Sequence, residues 1–302
     1  MDAVISQITT EMKPHHYQFK TVSITHLAEA QDAVGKLVRQ GAVSETLSRG
    51  WHFYLDGNNN FPEAKTIAVI AMPQSVTRVT FRKQGKEFAA NIPPGYFTRA
   101  DESRAEKILK KVLENNGNRV VKARLALKTL AVHSGLAKYG RDNISYVPGM
   151  GSFLRLIAFY TDYPYEEDNW QETGMTKACE NCALCREACP TGCISADRFL
   201  IHAENCLTYF NESEFDIPKW LQSDWHNSLI GCLRCQSACP VNKPYLDKIE
   251  DGPDFSEEET ELILKKVPVE QLGPETKMKL DRMVEDGIYP VMGRNLRMLV
   301  EK

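Results

Sequence analysis

A membrane-spanning run is missing from this chain. A helix that crosses a bilayer needs about 20 predominantly apolar residues. The richest apolar runs, "TIAVIAM" (Thr66–Met72) and "LIAFY" (Leu156–Tyr160), are only strand-length. The opening "MDAVISQITTEMKPHH" is too polar for a signal peptide and carries no twin arginine, so a cytoplasmic location away from membranes is expected. An excess of charge is missing too. Against 40 Asp and Glu stand 37 Lys and Arg, and the net charge of −3 excludes a global pull toward nucleic acid or an anionic surface. No Walker loop is present. The glycine pair in "PGMGS" (Pro148–Ser152) lacks the G-x-G-x-x-G context, and no D-x-H-x-x-G run could supply a corrinoid's lower histidine ligand.

Cysteine is missing before Cys179 and after Cys239; all nine fall between them. In a reducing compartment structural disulfides are disfavoured, so thiols gathered in this way point to metal or catalysis. The first run, "CENCALCREACP" (Cys179–Pro190), has the spacing C-x2-C-x2-C-x3-C-P, and a shorter one, "CLRCQSACP" (Cys232–Pro240), repeats the spacing of its last three cysteines and proline. C-x2-C-x2-C wraps a tight loop around three irons of a [4Fe–4S] cluster, and the cysteine before proline ligates the other cluster in two-cluster ferredoxins. Cys179, Cys182 and Cys185 are therefore expected to hold a first cluster completed by Cys239. A second takes Cys232 and Cys235, completed crosswise by Cys189, with Cys206 in "HAENCLTYF" as its fourth ligand. Cys193 is left over and is expected to be a small buried hydrophobe. Structural zinc usually takes two separated C-x2-C pairs, which this spacing does not match. Two neighbouring clusters move single electrons, so a two-electron reduction can be fed stepwise.

The periodicity predicts a mixed α/β region before the cysteines. Helix is expected over Thr25–Leu47, interrupted near Gly41, over Asp101–Asn115, closed by Gly117, and over Leu125–Leu136. Thr66–Met72 and Ser152–Tyr160 are expected to be core strands, and Val76–Phe81 and Glu87–Ile92 a hairpin turning at Gly85. After the cysteines, "DGPDF" suggests a turn. Ser256 and Glu259 form a capping box ahead of a helix, and helices follow near Glu275–Asp286 and Val291–Glu301. The expected domains are an α/β cofactor or substrate domain at 1–168, a double [4Fe–4S] ferredoxin-like domain at 169–250 and a helical segment at 251–302.

The order "SGLAKYGRDN" (Ser134–Asn143), "GSFLRLIAFYTD" (Gly151–Asp162), "CENCALCREACPTGCI", "ENCLTYF", "GCLRCQSACPVNK" resembles the epoxyqueuosine reductases, cobalamin-dependent iron–sulfur enzymes related to the reductive dehalogenases. An isolated cysteine before the second run, here Cys206, is a habit of that family. The resemblance implies a nitroreductase-like α/β domain that binds base-off cobalamin beside the ferredoxin-like domain. The clusters would reduce cobalt to Co(I), fed by a low-potential ferredoxin or flavodoxin. "GYFTRADES" (Gly95–Ser103) and "YGRDNISYVPGMGSF" (Tyr139–Phe153) would line the corrin, with Tyr96, Arg99, Arg141, Asn143 and Ser152 as contacts.

One departure stands out. The family carries an aspartate in a V-D-[ST] segment as proton donor, and the matching stretch here is "RVVKARLAL" (Arg119–Leu127). The aspartate falls on Val121 and a family glutamate on Leu127, neither of which can supply a proton. Lys122 and Tyr139 are the candidate replacements. The resemblance thus implies a cobalamin-dependent reductase acting on a small molecule or modified nucleoside. A transfer RNA partner is implied only if the substrate carries over as well. An iron–sulfur protein that recharges another protein's corrinoid is the alternative, and a true tRNA epoxyqueuosine reductase with a relocated acid is a third reading.

Overall fold

The computed structural model describes residues 2–49, 61–96, 99–165, 168–283 and 289–300. Along the chain run α1 (Ala3–Met12), β1 (Gln18–Ser23), α2 (Leu27–Arg39), α3 (Glu45–Arg49), β2 (Thr66–Pro73), β3 (Val76–Lys83) and β4 (Lys86–Ile92). Next come α4 (Arg99–Asn115), β5 (Val120–Ala123), α5 (Leu127–His133), β6 (Lys138–Tyr139), β7 (Ser145–Tyr146) and β8 (Leu154–Thr161). The remainder holds α6 (Leu184–Ala188), α7 (Leu207–Glu212), α8 (Arg234–Ala238), β9 (Ile249–Phe255), α9 (Glu257–Leu264), α10 (Pro274–Met283) and α11 (Tyr289–Val300). No described helix is long and apolar enough to cross a membrane.

The chain divides into two compact units, and neither is a contiguous segment. Residues 1–73 and 98–182 form the first; residues 74–97 and 183–302 form the second. The expected division at 168 therefore differs from this one, because the hairpin β3–β4 belongs with the C-terminal half.

The first unit is built on an antiparallel sheet in the order β1-β2-β8-β5. The unbroken apolar run of β2 has a simple cause: both of its faces are covered. Ile67, Val69 and Ala71 join one core with Leu27 and Ala30 of α2 and Leu130 and Ala131 of α5. Ala68, Ile70 and Met72 join another with Ile8 and Met12 of α1 and Leu109 and Val112 of α4. On α4 the buried stripe is Ala105, Ile108, Leu109, Val112 and Leu113, and the helix ends where Gly117 turns left-handed at φ +77°.

In the second unit β3 pairs antiparallel with β4 through the turn at Gly85 (φ +69°) and parallel with β9, giving the order β4-β3-β9. Here the expected turn at "DGPDF" is corrected: those residues are part of a strand. Proline is tolerated because β9 is an edge strand. Gly252 lies at a register shift between Arg78 and Thr80, where a Cβ would come within 2.8 Å of the Thr77 methyl. Phe81 and Phe255 stack at 5.1 Å, and the tail is helical from Glu257. The capping box forms as expected: the Ser256 hydroxyl accepts from Glu259 N–H, and the Ser256 N–H donates to the Glu259 carboxylate. Met283, Met292 and Leu296 then close the core over Val79 and Ile92.

Candidate iron–sulfur centre

The two cysteine runs build the same local structure twice. α6 carries Cys185 and α8 carries Cys235, each as its second residue, and the two short helices pack against one another. Each stops at a cysteine followed by proline. Cys189 (φ −77°, ψ 109°) and Cys239 (φ −77°, ψ 122°) are extended. A proline's Cδ clashes with a helical predecessor, so the sequence C-P turns the thiol-bearing residue out of the helix. The closing hydrogen bonds also correspond: Cys189 N–H donates to Arg186 C=O and Cys239 N–H to Gln236 C=O, both at 3.3 Å.

Within the second unit the buried Cys185, Cys193 and Ile194 form one cluster, against which the half-buried Cys189, Ile201, Cys206 and Cys235 pack. Cys193 Sγ lies 3.4 Å from Cys189 Sγ and is also hydrogen-bonded to Cys206. The hydrogen bond with Cys193 is the main reason the Cys189 thiol drops to about 5 and the Cys206 thiol to about 7. The same contacts push the Cys193 thiol up. The thiolate is the form that binds metal, so these residues fit an iron–sulfur cluster. Cys232 differs: burial pushes its thiol up, opposed by the Asn227 amide, whose Nδ2 donates to Cys232 Sγ at 3.2 Å. Asn227 Oδ1 in turn accepts from Leu233 N–H at 2.8 Å, so one side chain shapes the Cys232 loop.

Gly231, just before that loop, is left-handed (φ +62°), and a Cβ there would meet the Tyr96 hydroxyl at 2.8 Å. Tyr96 cannot swing away freely, since its hydroxyl donates to Glu212. Burial pushes both groups up, the Glu212 carboxyl and the Tyr96 phenol alike. Gly231→Ala should therefore destabilise the fold by roughly 1–3 kcal/mol and lower iron content. Gly85→Ala, in the hairpin turn away from the cysteines, is the control: it has a similar φ of +69° with nothing within 4 Å, so it carries the backbone strain alone. Thermal unfolding and iron analysis of the pair check this, and equal losses in both would remove Tyr96 from the account.

The first unit contains Cys179 and Cys182, and the second contains Cys185 and Cys239. Cys179 ends a single 3-10 turn (Lys177–Cys179), and its Sγ accepts from the Arg141 backbone N–H at 3.4 Å. The Arg141 guanidinium donates to the carbonyls of Cys179 at 2.6 Å and Glu180 at 3.4 Å. Arg141, expected to touch a corrin, is thus engaged with the cysteine loop. Asn143 is left-handed (φ +60°), its carbonyl accepting from Lys128 Nζ at 3.1 Å, and Ser152 is buried at the entry to β8. Tyr96 lies in the second unit, bound to Glu212. The Arg99 side chain lies outside the described residues, although its backbone starts α4.

Of the candidate proton donors, Lys122 is held by Glu102 at 2.5 Å, and Glu102 also accepts from Arg155 Nε at 3.0 Å. Tyr139 sits on β6, and burial pushes its phenol up. Val121 and Leu127 pack against the first unit's core. Sequence reasoning missed Asp142, a buried carboxylate accepting from the Tyr146 hydroxyl at 2.9 Å and from Ile144 N–H at 3.2 Å. Burial pushes its carboxyl up. It missed Glu102 and Glu212 too; Asp142 and Glu102 lie inside "SGLAKYGRDN" and "GYFTRADES", but nothing in those stretches marks a buried carboxylate, and only packing brings Glu102 and Glu212 to their partners.

A double-cluster iron–sulfur domain is the class these features define: residues 178–242 match the 4Fe-4S double cluster binding domain family. The proteins to which the chain is similar are epoxyqueuosine reductases. It is 32% identical over 130 residues to the one from Escherichia coli (strain K12), covering 43% of this chain and 32% of that protein. With the one from Bacillus subtilis (strain 168) the identity is 27% over 119 residues, 39% of this chain and 30% of that one. The chain thus matches about a third of the length of these curated relatives. In fold the likeness is broader. The B. subtilis epoxyqueuosine reductase structure superposes with a TM-score of 0.72 at 18% identity, covering 98% of this chain and 80% of that one. An epoxyqueuosine reductase solved with an epoxyqueuosine-modified tRNA stem loop gives 0.69 at 20% identity, again over 98% and 80%. The mixed α/β architecture with a double-cluster domain and a helical tail is therefore the fold those enzymes have.

Proposed function

We propose that the protein is a cobalamin-dependent oxidoreductase in which two [4Fe–4S] clusters deliver single electrons to a base-off corrinoid. The observation that carries this reading is the packing of Cys189, Cys206 and Cys235 around the buried Cys185, with the Cys189 thiol lowered to about 5 and the Cys206 thiol to about 7. Cys189, Cys206, Cys232 and Cys235 would hold the second cluster. Cys179, Cys182, Cys185 and Cys239 would hold the first, and for that set the support is the spacing. The corrinoid rests on the fold shared with epoxyqueuosine reductases over nearly the whole chain.

When bound, the clusters and the corrinoid supply the electrons; the chain's own residues bind, orient and protonate. Arg141 would brace the Cys179 loop, and Asn143 and Ser152 remain proposed corrin contacts. Tyr139 is the proton donor we favour, because Lys122 is held in an ion pair with Glu102. With Val121 at the family's aspartate position, a small molecule or modified nucleoside is proposed as substrate, and a ferredoxin or flavodoxin as electron donor.

Anaerobic reconstitution with iron, sulfide and cobalamin tests this. About eight irons per chain and a corrin band that stays with the protein through gel filtration are expected. Full iron without corrin would favour an electron-transfer protein, and colourless material would sink the proposal. Complementation of a queuosine-deficient strain asks separately whether the substrate is the one named for the similar enzymes.

A further inference from the structure

Nine cysteines serve two clusters that need eight, and the ninth is not a bystander. We propose that Cys193 is a built-in hydrogen-bond donor to the second cluster, its one S–H shared between the neighbouring ligating sulfurs of Cys189 and Cys206, which carry no proton when bound to iron, so that the cluster is easier to reduce. The inference rests on the double-cluster reading above and concerns what this chain adds to it.

Three observations carry it. Cys193 is 2% exposed, so its thiol is turned away from solvent and toward its sulfur neighbours. Its Sγ lies 3.4 Å from that of Cys189, and it is also hydrogen-bonded to Cys206, so it touches two proposed ligands of the same cluster from one side. It is held in place from its own backbone, since its carbonyl accepts from His202 N–H at 2.8 Å. The turn at Gly192 (φ +65°), closed by Gly192 N–H donating to Cys189 C=O at 3.2 Å, brings residue 193 back beside residue 189. A cluster gains negative charge on reduction. A donor aimed at its sulfurs stabilises the reduced form more than the oxidised one, and hydrogen bonds to the sulfurs are among the terms that set cluster potentials. Cys232 already receives such a bond from Asn227 and Cys193 would provide the equivalent for the opposite pair.

The test is a redox titration of the reconstituted protein followed by electron paramagnetic resonance, on wild type, Cys193→Ala and Cys193→Ser. The wild-type iron and sulfide content is measured first, because its failure would strike the cluster reading and not this inference. Cys193→Ala should keep the wild-type iron content while one of the two reduction waves moves to lower potential. About a tenfold fall in the reduced-to-oxidised ratio at fixed poise is expected, which is about 59 mV for one electron. The other wave should stay in place. Cys193→Ser keeps a donor and should recover most of the shift. Unmoved waves in Cys193→Ala would overturn the inference, and so would loss of half the iron, since Cys193 would then be a ligand. If Cys193→Ala does not fold, the wild type in H2O and D2O decides: an exchangeable proton coupled to one cluster supports the donor, and its absence overturns it.

Discussion

Cys206→Ala is expected to lose about four of about eight irons per chain, leaving the first cluster loaded. Cys206 stands apart from both cysteine runs in sequence, yet its thiol lies beside Cys193 in the same cluster as Cys189 and Cys235. It is extended (φ −70°, ψ 134°) just ahead of α7, and Thr208 donates to its sulfur from both backbone and hydroxyl. This set of hydrogen bonds, with that to Cys193, outweighs burial and lowers the thiol to about 7. Iron and labile sulfide counts, with a spin count after reduction, would read the loss. The interacting two-cluster signal should give way to that of a single cluster. An undiminished iron count would remove Cys206 from the ligand set.

Glu102→Gln is expected to destabilise the first unit in a pH-dependent way. Glu102 is 8% exposed and its two carboxylate oxygens face two different cations, Lys122 on β5 and Arg155 on β8. Burial by itself raises the carboxyl, but the two cations outweigh it and hold Glu102 below its usual 4.5. Removing one partner of a buried ion pair costs about 3–5 kcal/mol. Here the Lys122 side chain is 50% exposed and Arg155 31%, so screening reduces the expected loss to about 2 kcal/mol. Because the folded carboxyl lies below the unfolded one, its contribution is complete above pH 4.5 and disappears as pH falls through the folded value. Urea unfolding should therefore separate wild type from Glu102→Gln at pH 7 and bring the two together in acid. A constant gap across that range would show that packing, not charge, is what Glu102 supplies.

Both predictions concern residues whose importance was unequally visible in the sequence. Cys206 was legible, because counting thiols against two clusters left one position open. Glu102 was not: on α4 it belongs to a run of charged residues, "RADESRAEK", and nothing local separates a buried carboxylate from its solvated neighbours. Only the sheet, which sets Lys122 and Arg155 on adjacent strands, makes it a hub. Cys193 was expected to be a small buried residue, and it is buried. Its contacts with Cys189 and Cys206, by contrast, depend on how the chain returns after Gly192.

What the sequence by itself determined acts over a few residues. Spacing set the two cysteine loops, proline forced Cys189 and Cys239 out of their helices, Gly85 closed the hairpin, and Ser256 with Glu259 started α9. These outcomes follow from backbone sterics and local hydrogen bonds, which do not need the rest of the chain. The tertiary structure alone decided what depends on distant partners. It paired β9 with β3 across the length of the cysteine region, assigned the hairpin at 76–92 to the C-terminal unit, and gathered thiols from residues 185 to 235 into one cluster. Parallel pairing and thiol convergence are long-range events whose free energy comes from burial and from completed hydrogen bonds. Neither quantity exists until the chain has closed on itself.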